Sequence, residues 1–371
     1  MPEVIIIETD YEYNSLKRRL IPVLEKLDSN RIKNGDRVVV KPNLLTVAPP
    51  EKAVTTHPVI VRVVSEYLID AGARVQISDS PAIGGFKKIL KEGGYLDELG
   101  HLEVEAREFK ETAEIDIGEP FGMVEIARDV LEADHVINLP KLKTHGQMLL
   151  TLSVKNLFGC IVGLRKPQWH LRTGVDRIRF AELLYLIARK VNPLFTIMDG
   201  VLAMEGDGPG KSGTPVRLNM VLGSNDITAL DIAVCRLLGV SPERLLTNKV
   251  AFSKGYRPEE IRIEGNKKSI KNFKLPQLGP LIFGPSVLHP FMRRHLIERP
   301  LVDVNKCLQC GQCWSYCPAR AIEKASSAIE FDYERCIRCY CCVEVCPHGA
   351  LTKEEPLAGR FIRSLLQRKG A

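Results

Sequence analysis

Several familiar signatures are missing from this 371-residue sequence, and each absence narrows its chemistry. The start, Met1-Pro2-Glu3 followed by Val4-Ile5-Ile6-Ile7, lacks the basic region and long apolar core of a secretory signal, and with few cysteines left for disulfides a reducing cytoplasm is the expected compartment. The longest uncharged run, Leu275 to Met292, is interrupted by Pro276, Pro280, Pro285 and Pro290, which would break a membrane-spanning helix. No Walker A sequence occurs, because Gly210-Lys211-Ser212 lacks an earlier glycine at the required distance. Gly206-x-Gly208-x-Gly210 is not a dinucleotide fingerprint either: its spacing is wrong and Pro209 interrupts it. It reads instead as a tight loop lining a site. Few cysteines remain for disulfides, since eight of the 11 fall in one repeated motif and leave Cys160, Cys235 and Cys341.

That motif is Cys307-x2-Cys310-x2-Cys313-x3-Cys317-Pro318, repeated as Cys336-x2-Cys339-x2-Cys342-x3-Cys346-Pro347. Two-residue gaps let a tight loop aim three thiolates into one cavity, as three corners of an iron–sulfur cube require. Structural zinc sites use paired Cys-x2-Cys or Cys/His sets, a pattern that the doubled four-cysteine run does not fit. The halves also match beyond the ligands, in Pro318-Ala319-Arg320-Ala321-Ile322 and Pro347-His348-Gly349-Ala350-Leu351. The stretch resembles the bacterial-type two-cluster 4Fe–4S ferredoxins. In that family the fourth cysteine of each run serves the other cluster. The resemblance therefore implies one cluster on Cys307, Cys310, Cys313 and Cys346, and a second on Cys336, Cys339, Cys342 and Cys317. Cys341 is expected to be a non-ligating neighbour.

The net charge of +7 is unevenly placed. Residues 266–371 hold 17 basic and 9 acidic residues, so the first 265 carry a net charge of −1. A uniformly basic nucleic-acid-binding domain is not implied, and no nucleic-acid partner is expected.

Ahead of the cysteines, strand and helix signals alternate. Val4–Ile7, Val38–Val40, Arg74–Asp79, Val136–Pro140, Leu194–Met198 and Arg217–Leu222 read as strands; His57–Ala71 and Arg177–Lys190 read as helices. This alternation predicts an α/β fold with a mostly parallel sheet and helices on both faces, followed by a small α+β ferredoxin domain. The expected division is an α/β ligand-binding domain over 1–265, a basic proline-rich linker over 266–299, the two-cluster domain over 300–352, and a basic amphipathic tail over 353–371. The tail is a candidate for partner docking or peripheral membrane contact.

Parallel sheets bind ligands at the carboxyl ends of their strands. Lys41-Pro42-Asn43, Lys141-Leu142-Lys143-Thr144-His145 and Asp199-Gly200 follow predicted strands, with Lys155-Asn156-Leu157-Phe158-Gly159 and the Gly206–Gly210 loop nearby. Together with Ala229-Leu230-Asp231, these stretches resemble the domain-of-unknown-function family 362 over roughly residues 37–250. Lys41, Asn43, Lys141, Lys143, Lys155, Asn156, Gly206 and Gly208 are the expected ligand-binding residues. His145, His170 and Asp199 are the candidate proton-transfer groups, Asp231 is a candidate helix cap, and Glu205 and Asp207 are candidate counter-charges for the lysines.

The reading favours an iron–sulfur oxidoreductase. It would pass electrons between two 4Fe–4S clusters and an anionic small molecule or flavin, such as FMN, in the α/β domain. Flavin maturation is one concrete version, and a redox partner protein is expected. The alternative is a non-enzymatic electron carrier or adaptor whose α/β domain binds a protein.

Overall fold

The computed structural model describes residues 1–174, 176–266, 269–276, 278, 291 and 295–356. Most of the basic tail, 357–371, therefore lies outside the described residues, as does much of the stretch 266–299.

A ten-stranded sheet runs in the order Arg262–Gly265, Glu3–Glu8, Gly213–Ser224, Phe195–Gly206, His135–Leu139, Arg37–Pro42, Arg74–Ile77, Val104–Ala106. Lys141–His145 and Leu149–Thr151 branch from it beside Phe195–Gly206. The strands from Phe195–Gly206 to Val104–Ala106 are parallel. Their sequences explain the burial: Val38, Val39 and Val40 are β-branched and enclosed on both faces, as a covered parallel sheet demands. The fold class is α/β, as the alternating pattern predicts.

Helices Tyr13–Asp28 and Pro58–Asp70 cover one face, where Leu16, Leu20, Leu24, Val61, Val64 and Leu68 form one core with Val40 and Ile77. Arg177–Val191 covers the other, through Phe180, Leu184 and Ile187 packed against Val39 and Val136. Helix starts follow side-chain chemistry: Asp176 accepts the amides of Ile178 and Arg179.

Two expectations need correction. The strands read as Leu194–Met198 and Arg217–Leu222 are longer, Phe195–Gly206 and Gly213–Ser224, and they pair antiparallel as one hairpin. The Gly206–Gly210 loop is the turn of that hairpin. The segment expected to be a linker is also partly packed structure. Ile270, Phe273, Leu275 and Leu278 lie against the α/β core, and the Lys274 carbonyl accepts the Gly206 amide at 2.7 Å.

In the cysteine-rich region, Arg299–Val302 pairs antiparallel with Leu351–Glu354 and closes the unit. Left-handed backbone at Gln309 and Gly311 is repeated at Arg338 and Tyr340, so both Cys-x2-Cys-x2-Cys loops wind alike.

Candidate functional site: a cationic cavity between the two domains

Four lysines gather where the parallel strands end, although an ammonium group is rarely buried without a partner. Lys41, fully buried, ends the Arg37–Pro42 strand and pairs with Asp79 at 2.9 Å. Asp79 follows the Arg74–Ile77 strand and also accepts the amides of Leu44 and Ser80. Lys166 donates to the Ser80 carbonyl at 2.5 Å, and burial pulls its pKa down to about 8. Lys143 donates to the Val54 carbonyl at 2.6 Å and has no carboxylate within ion-pair distance among the described residues. Burial drives its pKa well below the usual value, and neighbouring Lys155 adds to the effect. The ammonium of half-buried Lys155 makes no hydrogen bond among the described residues, and burial lowers its pKa as well.

These lysines line a cavity of about 80 Å³ with Asn43, Thr151, Asn156, Gly159 and His170. Its other wall is Tyr316, Cys341, Glu344 and Val345 from the cysteine-rich region. Glu344 Oε1 lies 2.9 Å from His145 Nε2. Burial alone would raise the Glu344 pKa, but His145 and then Lys155 outweigh it and hold the carboxylate at about 2. Burial lowers His145 to about 4 and His170 to about 3, so both rings are neutral at pH 7. Gly159 is required by packing: a Cβ there would meet Asp79 Oδ1 at 2.3 Å and Lys41 Nζ at 2.5 Å.

The cavity does not gather every expected residue. Lys141 and Asp199 are fully buried and pair with each other at 2.7 Å away from the cavity lining. Asp199 also accepts from Tyr11 Oη at 2.7 Å and the His57 amide at 2.8 Å, so it is a structural anchor with its acceptors occupied. Lys141 is likewise removed from the anion site. His145 stands behind Glu344, with its Nδ1 accepting the amides of Gln147 and Met148. Gly206 and Gly208 shape the hairpin turn, and only neighbouring Pro209 reaches the cavity. Glu205 accepts the Lys274 amide and Asp207 is exposed; the carboxylates that offset the lysines are Asp79, Asp199 and Glu344. Asp231 accepts the amides of Ser153 and Val154, capping the Ser153–Asn156 turn.

Sequence reasoning passed over Asp79, Lys166 and Glu344. Asp79 ends a predicted strand, which was a usable signal. Glu344 is hidden among cluster cysteines and carried none. A larger groove of about 670 Å³, lined by Arg37, Arg74, Glu105 and Arg107, lies at the amino ends of the same strands. Arg107 there is paired with Asp129 and Glu105, so its charge is already matched.

The cysteines of the two runs lie close enough to shift one another's pKa values. Burial pushes Cys313 up to about 11, with Cys346 and Cys310 adding to the shift. Burial likewise raises Cys317, with Cys339 and Cys336 adding to it. The influence of Cys346 on Cys313, and of Cys339 and Cys336 on Cys317, is what the crossed assignment expects. The Ala321 and Ala350 amides donate to Cys317 Sγ and Cys346 Sγ, both at 3.3 Å, the kind of contact that tunes cluster sulfurs. The residues present fit two iron–sulfur clusters, which supply one-electron transfer when bound. Cys339 and Cys341 pack with Tyr316 and Val345 against Ala82 and Ile83 of the α/β domain. Cys310, by contrast, is exposed.

Among the described residues, no helix is long and apolar enough to cross a membrane. Residues 299–347 match the 4Fe-4S dicluster domain, which gives the chain iron–sulfur electron-transfer capacity. Over 34 residues it is 41% identical to the NADH-dependent phenylglyoxylate dehydrogenase subunit delta of Aromatoleum evansii, covering 9% of this chain and 37% of that protein. Over 297 residues it is 35% identical to thylakoid-associated protein sll1697 of Synechocystis sp. (strain ATCC 27184 / PCC 6803 / Kazusa), covering 78% of this chain and 92% of that protein. The lactate racemase apoprotein of Thermoanaerobacterium thermosaccharolyticum is a distant structural neighbour, with TM-score 0.42 and 12% identity over 64% of this chain and 56% of that one. Residues 38–236 match the domain of unknown function DUF362, and the chain belongs to that family.

Proposed function

We propose that this protein passes electrons between its two 4Fe–4S clusters and a small oxyanion held in the cavity between the domains. One observation carries the reading: the cavity has the α/β lysines on one side and, on the other, residues adjacent in sequence to cluster cysteines. Tyr316 precedes Cys317, and Cys341 precedes Cys342. Lys143 and Lys155 bind the anion; Tyr316, Cys341 and Val345 exclude water from the seam. Burial already disfavours the charged lysines, so an anion that restores their charge gains more here than at an exposed site.

A flavin does not suit the cavity. A volume of about 80 Å³ accommodates a handful of atoms, not three fused rings with a ribityl phosphate.

The test is to purify the protein anaerobically, confirm about eight irons per chain, and identify the small molecules released on denaturation. A stoichiometric oxyanion is expected. Its rebinding should weaken by about tenfold or more in Lys143→Ala and Lys155→Ala, the loss of one charge-assisted hydrogen bond, with iron content unchanged. The oxidised form of the ligand should reoxidise dithionite-reduced clusters. Recovery of no anion, or unaltered affinity in both variants, would overturn the proposal.

A further inference from the structure

The direction of hydrogen bonding along a buried row of amides limits what the cavity can hold. Asn138 Nδ2 donates to the Ser153 carbonyl at 3.1 Å, and a carbonyl can only accept. Asn138 Oδ1 is thereby the acceptor for Asn156 Nδ2, at 2.8 Å. Asn156 Oδ1 then accepts from Asn43 Nδ2, also at 2.8 Å. The ammonium of Lys41, which can only donate, approaches the same Asn156 oxygen at 3.4 Å and fixes its orientation independently. The row ends at Asn43 Oδ1, which is buried and has no hydrogen-bond donor among the described residues.

Asn43 lines the cavity, and so do two residues more than nine-tenths buried with unpartnered polar atoms: His170 at Nδ1 and Thr151 at Oγ1. A simple carboxylate would satisfy Lys143 and Lys155 and leave the Asn43 acceptor unmet. An unmet buried acceptor carries a desolvation cost that a matching donor removes.

We infer that the ligand is a small oxyanion that also carries a hydrogen-bond donor, a hydroxyl or N–H group, directed to Asn43 Oδ1. This rests on the proposed anion cavity and adds the feature that selects among anions. Asn43 is a specificity-determining residue, and its orientation is set by Ser153 through Asn138 and Asn156. Glycolate represents the class, while acetate has the same carboxylate without the donor; both match the cavity in scale.

The test measures binding of glycolate and acetate to the full chain, anaerobic and loaded with iron, by titration calorimetry. Glycolate should bind about tenfold more tightly, the ratio set by about 1.4 kcal/mol for one recovered hydrogen bond. In Asn43→Ala the ratio should fall to near one, through a loss of glycolate affinity larger than any change for acetate, with iron content unchanged. Equal binding of the two anions by the unsubstituted protein would overturn the inference and leave the anion cavity standing. If neither binds, both fail together. If the preference survives in Asn43→Ala, the donor is read elsewhere and the assignment to Asn43 is wrong. Should Asn43→Ala lose its iron, Asn43→Ser, which keeps a small hydroxyl acceptor, replaces it and should retain a reduced preference; an undiminished one overturns the assignment.

Discussion

Gly159 shows how closely the site is built at the scale of single residues. Its Cα leaves space that Asp79 Oδ1 and Lys41 Nζ already occupy. Gly159→Ala should separate that ion pair, lowering stability by about 1–3 kcal/mol in denaturant titrations and weakening glycolate binding with iron content unchanged. Stability within error of the unsubstituted protein would mean that the pair shifts freely. Asp199→Asn tests the other buried pair. It leaves the Lys141 charge uncompensated, so a loss of about 3–5 kcal/mol is expected, and anion affinity should change far less than stability does. The two lysines of the Lys141–His145 strand were legible as a pair, because alternate residues share a strand face. Their separate fates were not. Asp199 lies opposite Lys141 in the strand register, a long-range pairing that spacing does not encode.

At the scale of elements, buried strands and amphipathic helices were readable because their apolar periodicity is strong. Arg177–Val191 and Pro58–Asp70 lie within a residue of where the pattern put them. The hairpin Phe195–Gly206/Gly213–Ser224 was not readable, because the first half of its second strand is half-exposed and its turn resembled a ligand loop. Asp231 joins two elements, from helix Ile227–Leu237 to the turn Ser153–Asn156 that carries Lys155 and Asn156. Burial raises its pKa to about 7, against the pull of the Ser153 and Val154 amides. An acid whose folded pKa is raised takes up protons on folding between its unfolded and folded values. Its contribution therefore favours the folded state at low pH and is lost as pH rises from about 4 to about 7. Asp231→Asn keeps an acceptor for the amides and cannot ionise. Its stability should fall less than that of the unsubstituted protein over that interval, read from denaturation midpoints at successive pH values. Parallel pH profiles would show that Asp231 does not titrate there.

The far wall of the cavity exists only at the scale of the whole molecule. Lys41, Lys143 and Lys155 could be chosen from sequence because each lies near a strand end. Tyr316, Cys341 and Glu344 could not, because their neighbours in sequence are cluster cysteines and their partners belong to another domain. Lys353 adds to the seam, donating to the Gly146 carbonyl at 3.2 Å and pairing with Glu298 at 3.5 Å. The seam makes the two groups of cysteines unequal. Cys339 packs with Ala82 and Ile83, whereas Cys310 is exposed. Cys317→Ala and Cys310→Ala should each remove about four of eight irons. They should differ in the second reading. Cys317→Ala disturbs the loop that carries Tyr316 and faces Cys336 and Cys339, so glycolate affinity should fall together with iron. Cys310→Ala alters the outward side and should leave glycolate affinity within about twofold, since substitutions that share no partners act independently. The variants also test the crossed arrangement by electron paramagnetic resonance. Cys317→Ala should abolish the signal that survives in Cys310→Ala, and if both variants lose the same signal, Cys317 serves its own run and the crossing is wrong.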